Sequence, residues 1–331
     1  MSEDNRQTRD EKREQELSSI DRLFHEIQQY CTGAEFIKKL EFYTKFPYIG
    51  AYNAALVQEQ RPGARFVLTA RKWKKEYNRK IKRNSRPVMI LIPFYPVEFL
   101  FDISDTEPID NVEDDDRVIE EIIKQHIASC KYDLYYYMNF LSLNLPRHGI
   151  YYKKDYIVGS EIQAESRVDN SKIQNVWIYN DSSVKYKNHF SISVDVKADG
   201  AEEIALLFHE LAHIFCHHIS YPWWKKRNCS EEEKEFEAEA VSFLVCHRLG
   251  INYNPVKYLS NYMSNDLEIP YISMERVFQA VDFIEQAATE NIQITRCLLY
   301  KNDEDFKSIV DSERERRRKQ HEAEKAARQS I

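Results

Sequence analysis

His209-Glu210-Leu211-Ala212-His213 lies inside an apolar run, and no other stretch restricts this chain as strongly. Ala201-Glu202-Glu203-Ile204-Ala205-Leu206-Leu207-Phe208 leads into Leu211, Ala212, Ile214 and Phe215, the pattern of a buried helix that starts after the Asp199-Gly200 break. On such a helix positions 209 and 213 stand about 40° apart on one face. Both imidazoles can then reach one ion, with the Glu210 carboxylate beside them. H-E-x-x-H is the spacing of zinc hydrolases, in which two histidines bind metal and the glutamate acts as general base.

After a Pro/Trp/Lys-rich connection from Tyr221 to Cys229, Ser230 and the acids Glu231-Glu232-Glu233 read as an N-cap and acidic first turn. They open a second helix that runs to about Leu249 and stops at Gly250. It carries Glu235 and Glu239 one turn apart, either of which can supply a third ligand. Two histidines and one carboxylate leave a fourth tetrahedral position for water, the arrangement of a catalytic zinc site. The longer three-histidine pattern fails, because position 216 is Cys and position 219 is Ile. Glu237 points about 160° from the Glu235/Glu239 face and is expected in solvent. The acidic run as a whole reads as a solvated face, and His217 and His247 as helix-end histidines.

With Leu207-Phe208 before H-E-L-A-H and Glu235-Phe236-Glu237-Ala238-Glu239-Ala240-Val241-Ser242-Phe243-Leu244 after it, the segment resembles the ArdC-like antirestriction proteins and the related ImmA/IrrE metallopeptidases of mobile elements. The order Tyr52-Asn53-Ala54-Ala55-Leu56-Val57, Gln60-Arg61-Pro62-Gly63-Ala64, Trp73-Lys74-Lys75, the strand-like Val88 to Pro93, and Phe101-Asp102-Ile103-Ser104-Asp105-Thr106 is similar to the ArdC N-terminal domain. The resemblance implies that Glu235 is the third zinc ligand. Glu239 would then hydrogen-bond a ligating histidine, or serve as the alternative ligand. It further implies that the N-terminal domain binds single-stranded DNA. The stretch Glu76 to Arg86 departs from the family, since it lacks the usual Gly-rich turn.

Charge supports a nucleic-acid partner independently. The chain carries a net charge of −7, yet between Arg61 and Pro87 there are eleven Lys or Arg against one acid, Glu76. Arg65, Arg71, Lys72, Lys74, Lys75, Arg79, Lys80, Lys82 and Arg83 are the candidate phosphate contacts. Trp73 is the candidate stacking surface, with Tyr52, Phe66 and Tyr77 near it. The competing reading is that Trp73 and Phe66 are core anchors.

A hydrophobic content of 43% suffices for real cores, and only seven glycines favour a helix-rich chain. The six cysteines form no C-x-x-C pair, which fits reduced thiols and a cytoplasmic protein. No apolar run is long and unbroken enough for a membrane span.

The expected fold class is α+β. A basic ArdC-like single-strand DNA-binding domain at 17–110 precedes a helix-rich zincin-like metallopeptidase domain with a small sheet at 111–300, and a charged helical tail at 301–331. Pro108 and Glu113-Asp114-Asp115-Asp116 mark the first boundary. Beyond it Val118, Ile122, Ile123, Ile127 and Leu134 suggest one long helix into the catalytic domain. Short β stretches are expected at 156–158, 176–179 and 190–196; the last alternates and is the candidate edge strand for pairing with an extended substrate. The function expected is that of a Zn2+-dependent metalloendopeptidase joined to a single-stranded DNA-binding domain, an antirestriction or regulatory factor of a mobile element. The alternative is a non-proteolytic protein that protects single strands by occupancy, its metal site structural or vestigial.

Overall fold

Capping chemistry fixes both ends of the helix that follows the H-E-x-x-H segment. In the computed structural model of the chain, residues 33–92, 95–110, 115–158, 164–179, 181–221, 223–253, 259 and 269–329 are described. The architecture is mixed α+β. The helices in chain order are α1 (Gly33–Thr44), α2 (Ala51–Gln60), α3 (Ala70–Tyr77), α4 (Asp116–Ser129), α5 (Leu134–Arg147), α6 (Gly200–Phe215), α7 (Glu231–Leu249), α8 (Met274–Thr289), α9 (Leu298–Asn302) and α10 (Glu304–Gln329). The strands are β1 (Val67–Leu68), β2 (Arg79–Ile81), β3 (Val88–Ile92), β4 (Tyr95–Asp102), β5 (Thr106–Pro108), β6 (Ile150–Asp155), β7 (Ala164–Val168), β8 (Ile173–Tyr179), β9 (Ser182–Lys187) and β10 (Phe190–Asp195).

Two compact units share the chain in an interleaved way. The first takes residues up to Asp133 and again Asn228–Ile284; the second takes Leu134–Arg227 and Glu285–Ile331. This division differs from the expected segments. The helix with Glu235 belongs with the N-terminal part, and residues 17–32 of the expected first domain lie outside the described residues. Two helices stand where one was expected, because α4 ends at Ser129 and α5 begins at Leu134. The first stays with the N-terminal unit, since Ile119, Ile122 and Ile123 pack on the buried cluster of Phe66, Leu68, Trp73 and Ile103.

In the first unit β1, β4 and β3 form one small antiparallel sheet and β2 pairs with β5. Side-chain amides close the outer edge of β3. Asn53 on α2 donates from Nδ2 to the Leu91 carbonyl (2.8 Å) and accepts from the Leu91 N–H (3.1 Å). Two turns on, Gln60 does the same at Met89, at 2.7 and 2.9 Å. Each amide stands in for a peptide group of a neighbouring strand, so the helix occupies an edge that would otherwise invite pairing. Arg248 on α7 is buried and gives its guanidinium to the carbonyls of Tyr43, Phe46 and Ile49, which closes the C-terminal end of α1.

In the second unit β10 lies between β6, parallel to it, and β7, antiparallel to it. All six residues of β10 are buried. It is therefore a central strand, and the expectation that it offers an edge to substrate is overturned, because both of its hydrogen-bonding sides are taken. Positions 156–158 form no strand; the strand before them is β6. A hairpin, β8–β9, packs with α9 and α10 around Val176, Ile178, Ile294, Leu299, Phe306 and Val310. The start of the expected tail is thus core of this unit.

Candidate metal centre

Helix α6 is fixed at its N-terminus by β6, where Glu203 in the first turn accepts from the Tyr152 hydroxyl (2.5 Å) and from Lys154 Nζ (3.0 Å). It runs against β7 and β10, burying Ile204, Leu207, Phe208, Leu211 and Ile214. The helix thereby presents His209, Glu210 and His213 together. His209 Nε2 and His213 Nε2 are 3.2 Å apart. Two ligands placed tetrahedrally at about 2.0–2.1 Å from a zinc ion stand about 3.3 Å from one another. Glu210 is buried.

The other nitrogen of His213 is held too. His217 has a positive φ of 60°, and this left-handed turn brings His218 back under the helix end. His218 donates its backbone N–H to the His213 carbonyl (2.9 Å) and sets Nδ1 3.0 Å from His213 Nδ1. If Nε2 of His213 serves a metal, its Nδ1–H is left to hydrogen-bond His218 Nδ1, the usual way a ligating ring is oriented. Sequence spacing missed His218, since five residues along a regular helix would place it well off the His213 face. His217 instead stacks on Trp224 (4.7 Å, 9°), as a helix-end residue, and Trp224 stacks in turn on Phe190 (5.7 Å, 13°). A further buried histidine escaped notice: His189 places Nε2 3.1 Å from Asp303 and Nδ1 against the Tyr221 hydroxyl.

The acids stand on α7 in the first unit. Ser230 caps this helix with a reciprocal box, its Oγ accepting from Glu233 N (3.1 Å) and its N–H donating to Glu233 Oε2 (2.7 Å). Gly250 ends it at φ 74°. Glu235 is half-buried and Glu239 buried. Glu237 is not in solvent as expected. It is fully buried and accepts from the Ser273 N–H (2.7 Å) at the start of α8. The reason is that α7 is covered on all sides from Phe236 to Cys246, so no face of that stretch meets water. Burial pushes the Cys246 thiol up to about 12, which keeps it a neutral buried thiol.

The basic segment divides by burial. Arg71, Lys72, Lys74, Lys75, Lys80, Lys82 and Arg83 are exposed. Lys80 pairs with Glu107 (3.3 Å), Lys82 Nζ donates to the Ser104 carbonyl (3.0 Å), and Arg65 pairs with Glu120. Two expected contacts are corrected. Trp73 is fully buried, edge-on to Phe66, with Nε1 donating to the Phe101 carbonyl (2.8 Å), so its ring faces are core and not a platform for bases. Arg79 is buried as well, its Nε on Thr106 Oγ1 (2.6 Å), and staples β2 to β5.

No protein-family model matches this chain, and no curated protein matches it. A solved structure similar to it is a crystal structure of the antirestriction protein ArdC from plasmid R388 in metal-free form. It is 12% identical over 73% of this chain and 85% of that chain, with a TM-score of 0.32. That score is too low for the two to be called one fold. Among the described residues, no helix is long and apolar enough to cross a membrane.

Proposed function

We propose that this chain is a zinc-dependent metallopeptidase in which His209, His213 and Glu235 hold the ion and Glu210 is the general base. The observation that carries this reading is the 3.2 Å approach of the two Nε2 atoms on one helix face. Two imidazoles and a carboxylate are a donor set that can hold a metal ion. Zinc would supply a polarised carbonyl and a water of lowered pKa. Glu210 would be the residue to accept a proton from that water and pass it to the leaving amine. Glu239 would hydrogen-bond a ligating histidine in this scheme, or replace Glu235 as the third ligand. An extended substrate would pair with β7, which among the described residues is an outer strand of its sheet and lies along α6.

Single-stranded DNA as a partner, and an antirestriction role, rest on the sequence resemblance together with the exposed cations on α3 and after β2. Those cations also support the second reading, protection of a strand by occupancy without proteolysis. Metal analysis of purified wild type beside His213→Ala and Glu235→Ala tests the first reading. About one zinc per chain is expected in wild type, lost in both variants. Glu210→Gln should keep the metal and lose peptide hydrolysis. Full biological activity in Glu210→Gln would favour occupancy, and a metal-free wild type after zinc reconstitution would sink the enzyme reading.

A further inference from the structure

In the second unit, the last turn of α5 carries a positive charge that the fold does not neutralise. Arg147 is 2% exposed. Its Nε donates to the Trp177 carbonyl (2.6 Å), and its Nη1 to Asn291 Oδ1 (2.6 Å) and the Ile292 carbonyl (2.7 Å). All three acceptors are neutral, and among the described residues no carboxylate pairs with this guanidinium. Nearby titratable groups add no negative charge: burial pushes the Cys297 thiol up to about 12 and holds His148 down at about 3, so both are neutral near pH 7. The negative end of the α5 dipole offsets part of the charge. A buried guanidinium with only carbonyl partners is nonetheless costly, and it invites an anion. Arg248 makes the contrast, because it is equally buried but acts on a carboxylate, Asp282.

Arg147 opens onto a cavity of about 570 Å3, lined also by Tyr179, Asp181, Asn291, Arg314 and Arg317. Such a volume is that of a small-ligand site. Three guanidiniums face one lining carboxylate, and Asp181 is already paired with Arg317. Arg317 also binds Glu313 (3.1 Å) and stacks over Tyr179 (4.2 Å), so it is a fixed wall. Arg314 pairs with Asp311 at 3.5 Å and donates to the Tyr300 hydroxyl (3.3 Å), but it is 44% exposed, so a ligand in the cavity can compete for it. Nη2 of Arg147 carries no hydrogen bond among the described residues and supplies two further donors.

We propose that this cavity binds a phosphate monoester of up to mononucleotide size, its phosphate held between Arg147 and Arg314. The doubly charged group answers the guanidinium of Arg147, which has no carboxylate partner, and competes with the half-exposed Asp311 for that of Arg314; planar forks match its oxygens. This site is separate from the histidines of α6 and does not depend on the metallopeptidase reading.

The full-length protein is titrated at low salt with inorganic phosphate and with AMP, following heat release and thermal midpoint. Saturable binding of AMP is expected, weakened about tenfold or more in Arg314→Gln, the loss of one charge-assisted contact. Arg147→Met should abolish binding and lower the midpoint of the unliganded protein, because it leaves the Trp177 and Ile292 carbonyls without their donor. Should Arg147→Met fail to fold, Arg314→Gln alone decides. Phosphate binding as tight as AMP narrows the ligand to the free ion. No saturable response to either ligand at millimolar concentration, or an Arg314→Gln variant that binds like wild type, overturns the proposal.

Discussion

His213 is engaged at both ring nitrogens, and the residue that engages the far one, His218, is what orients it. Replacing His218 by Ala should leave the ligands in place but free the ring, lowering zinc affinity about 10–100-fold. Competition with a chromogenic chelator measures this, and an unchanged affinity would remove His218 from the site. The His209, Glu210 and His213 trio was legible in the sequence because a helix converts a spacing of four directly into proximity. His218 was not, since its placement depends on the positive φ of His217, which a non-glycine residue rarely adopts. Trp73 was read as a stacking surface from the cations around it, and its burial bears out the competing reading of it as a core anchor; Glu237 was misjudged from its angle alone. Angular position on a helix tells which residues share a face, while burial depends on what the rest of the chain lays over that face. Glu237→Ala should therefore cost about 1–3 kcal/mol by orphaning the Ser273 N–H, read as a lower urea midpoint. A solvent-exposed glutamate would cost almost nothing.

Among elements, the ends of α7 were the most legible, because caps are local: Ser230 with Glu233, and Gly250 with its left-handed backbone, announce this helix without reference to any partner. Strand roles were less so. The alternation in Phe190 to Val196 identifies a strand, yet whether it is central or outer depends on β6 and β7, forty and twenty-odd residues earlier. Edge protection is another property of pairs of elements. Asn53→Ala with Gln60→Ala removes the four hydrogen bonds that cover β3, while Met89, Leu91, Val97 and Phe99 already expose one face of the β3–β4 ribbon. The double variant is expected to associate in a concentration-dependent way, as sedimentation velocity would record. A variant that stays at the wild-type sedimentation coefficient at every concentration would show that the amides do not guard the edge.

For the molecule as a whole, acid stability should carry the mark of buried histidines. His148 sits at about 3 through burial, well below the 6.5 of an exposed ring. Between those values the unfolded chain binds a proton that the native protein refuses, so stability rises with pH across that window and is lost as pH falls through it. Burial shifts His189 in the same direction. Urea midpoints are thus expected to decline from pH 7 towards pH 4, and less steeply in His148→Gln whatever its absolute stability. Parallel slopes in the two proteins would assign the acid loss elsewhere.

The mixed α+β class could be anticipated, but the interleaving of the units could not, because no local signal says that Asn228–Ile284 completes a body begun by α1. That interleaving sets a timetable for synthesis. Phe36 meets Phe236 ring to ring (5.4 Å), and the Tyr43 carbonyl finds Arg248 across a separation of 205 residues. At about 5–20 residues per second, a ribosome leaves the apolar side of α1 without these partners for roughly ten to forty seconds. During that interval the nascent chain must be sheltered by chaperones or by its own non-native collapse, and a fragment ended near residue 110 would remain in that state for good.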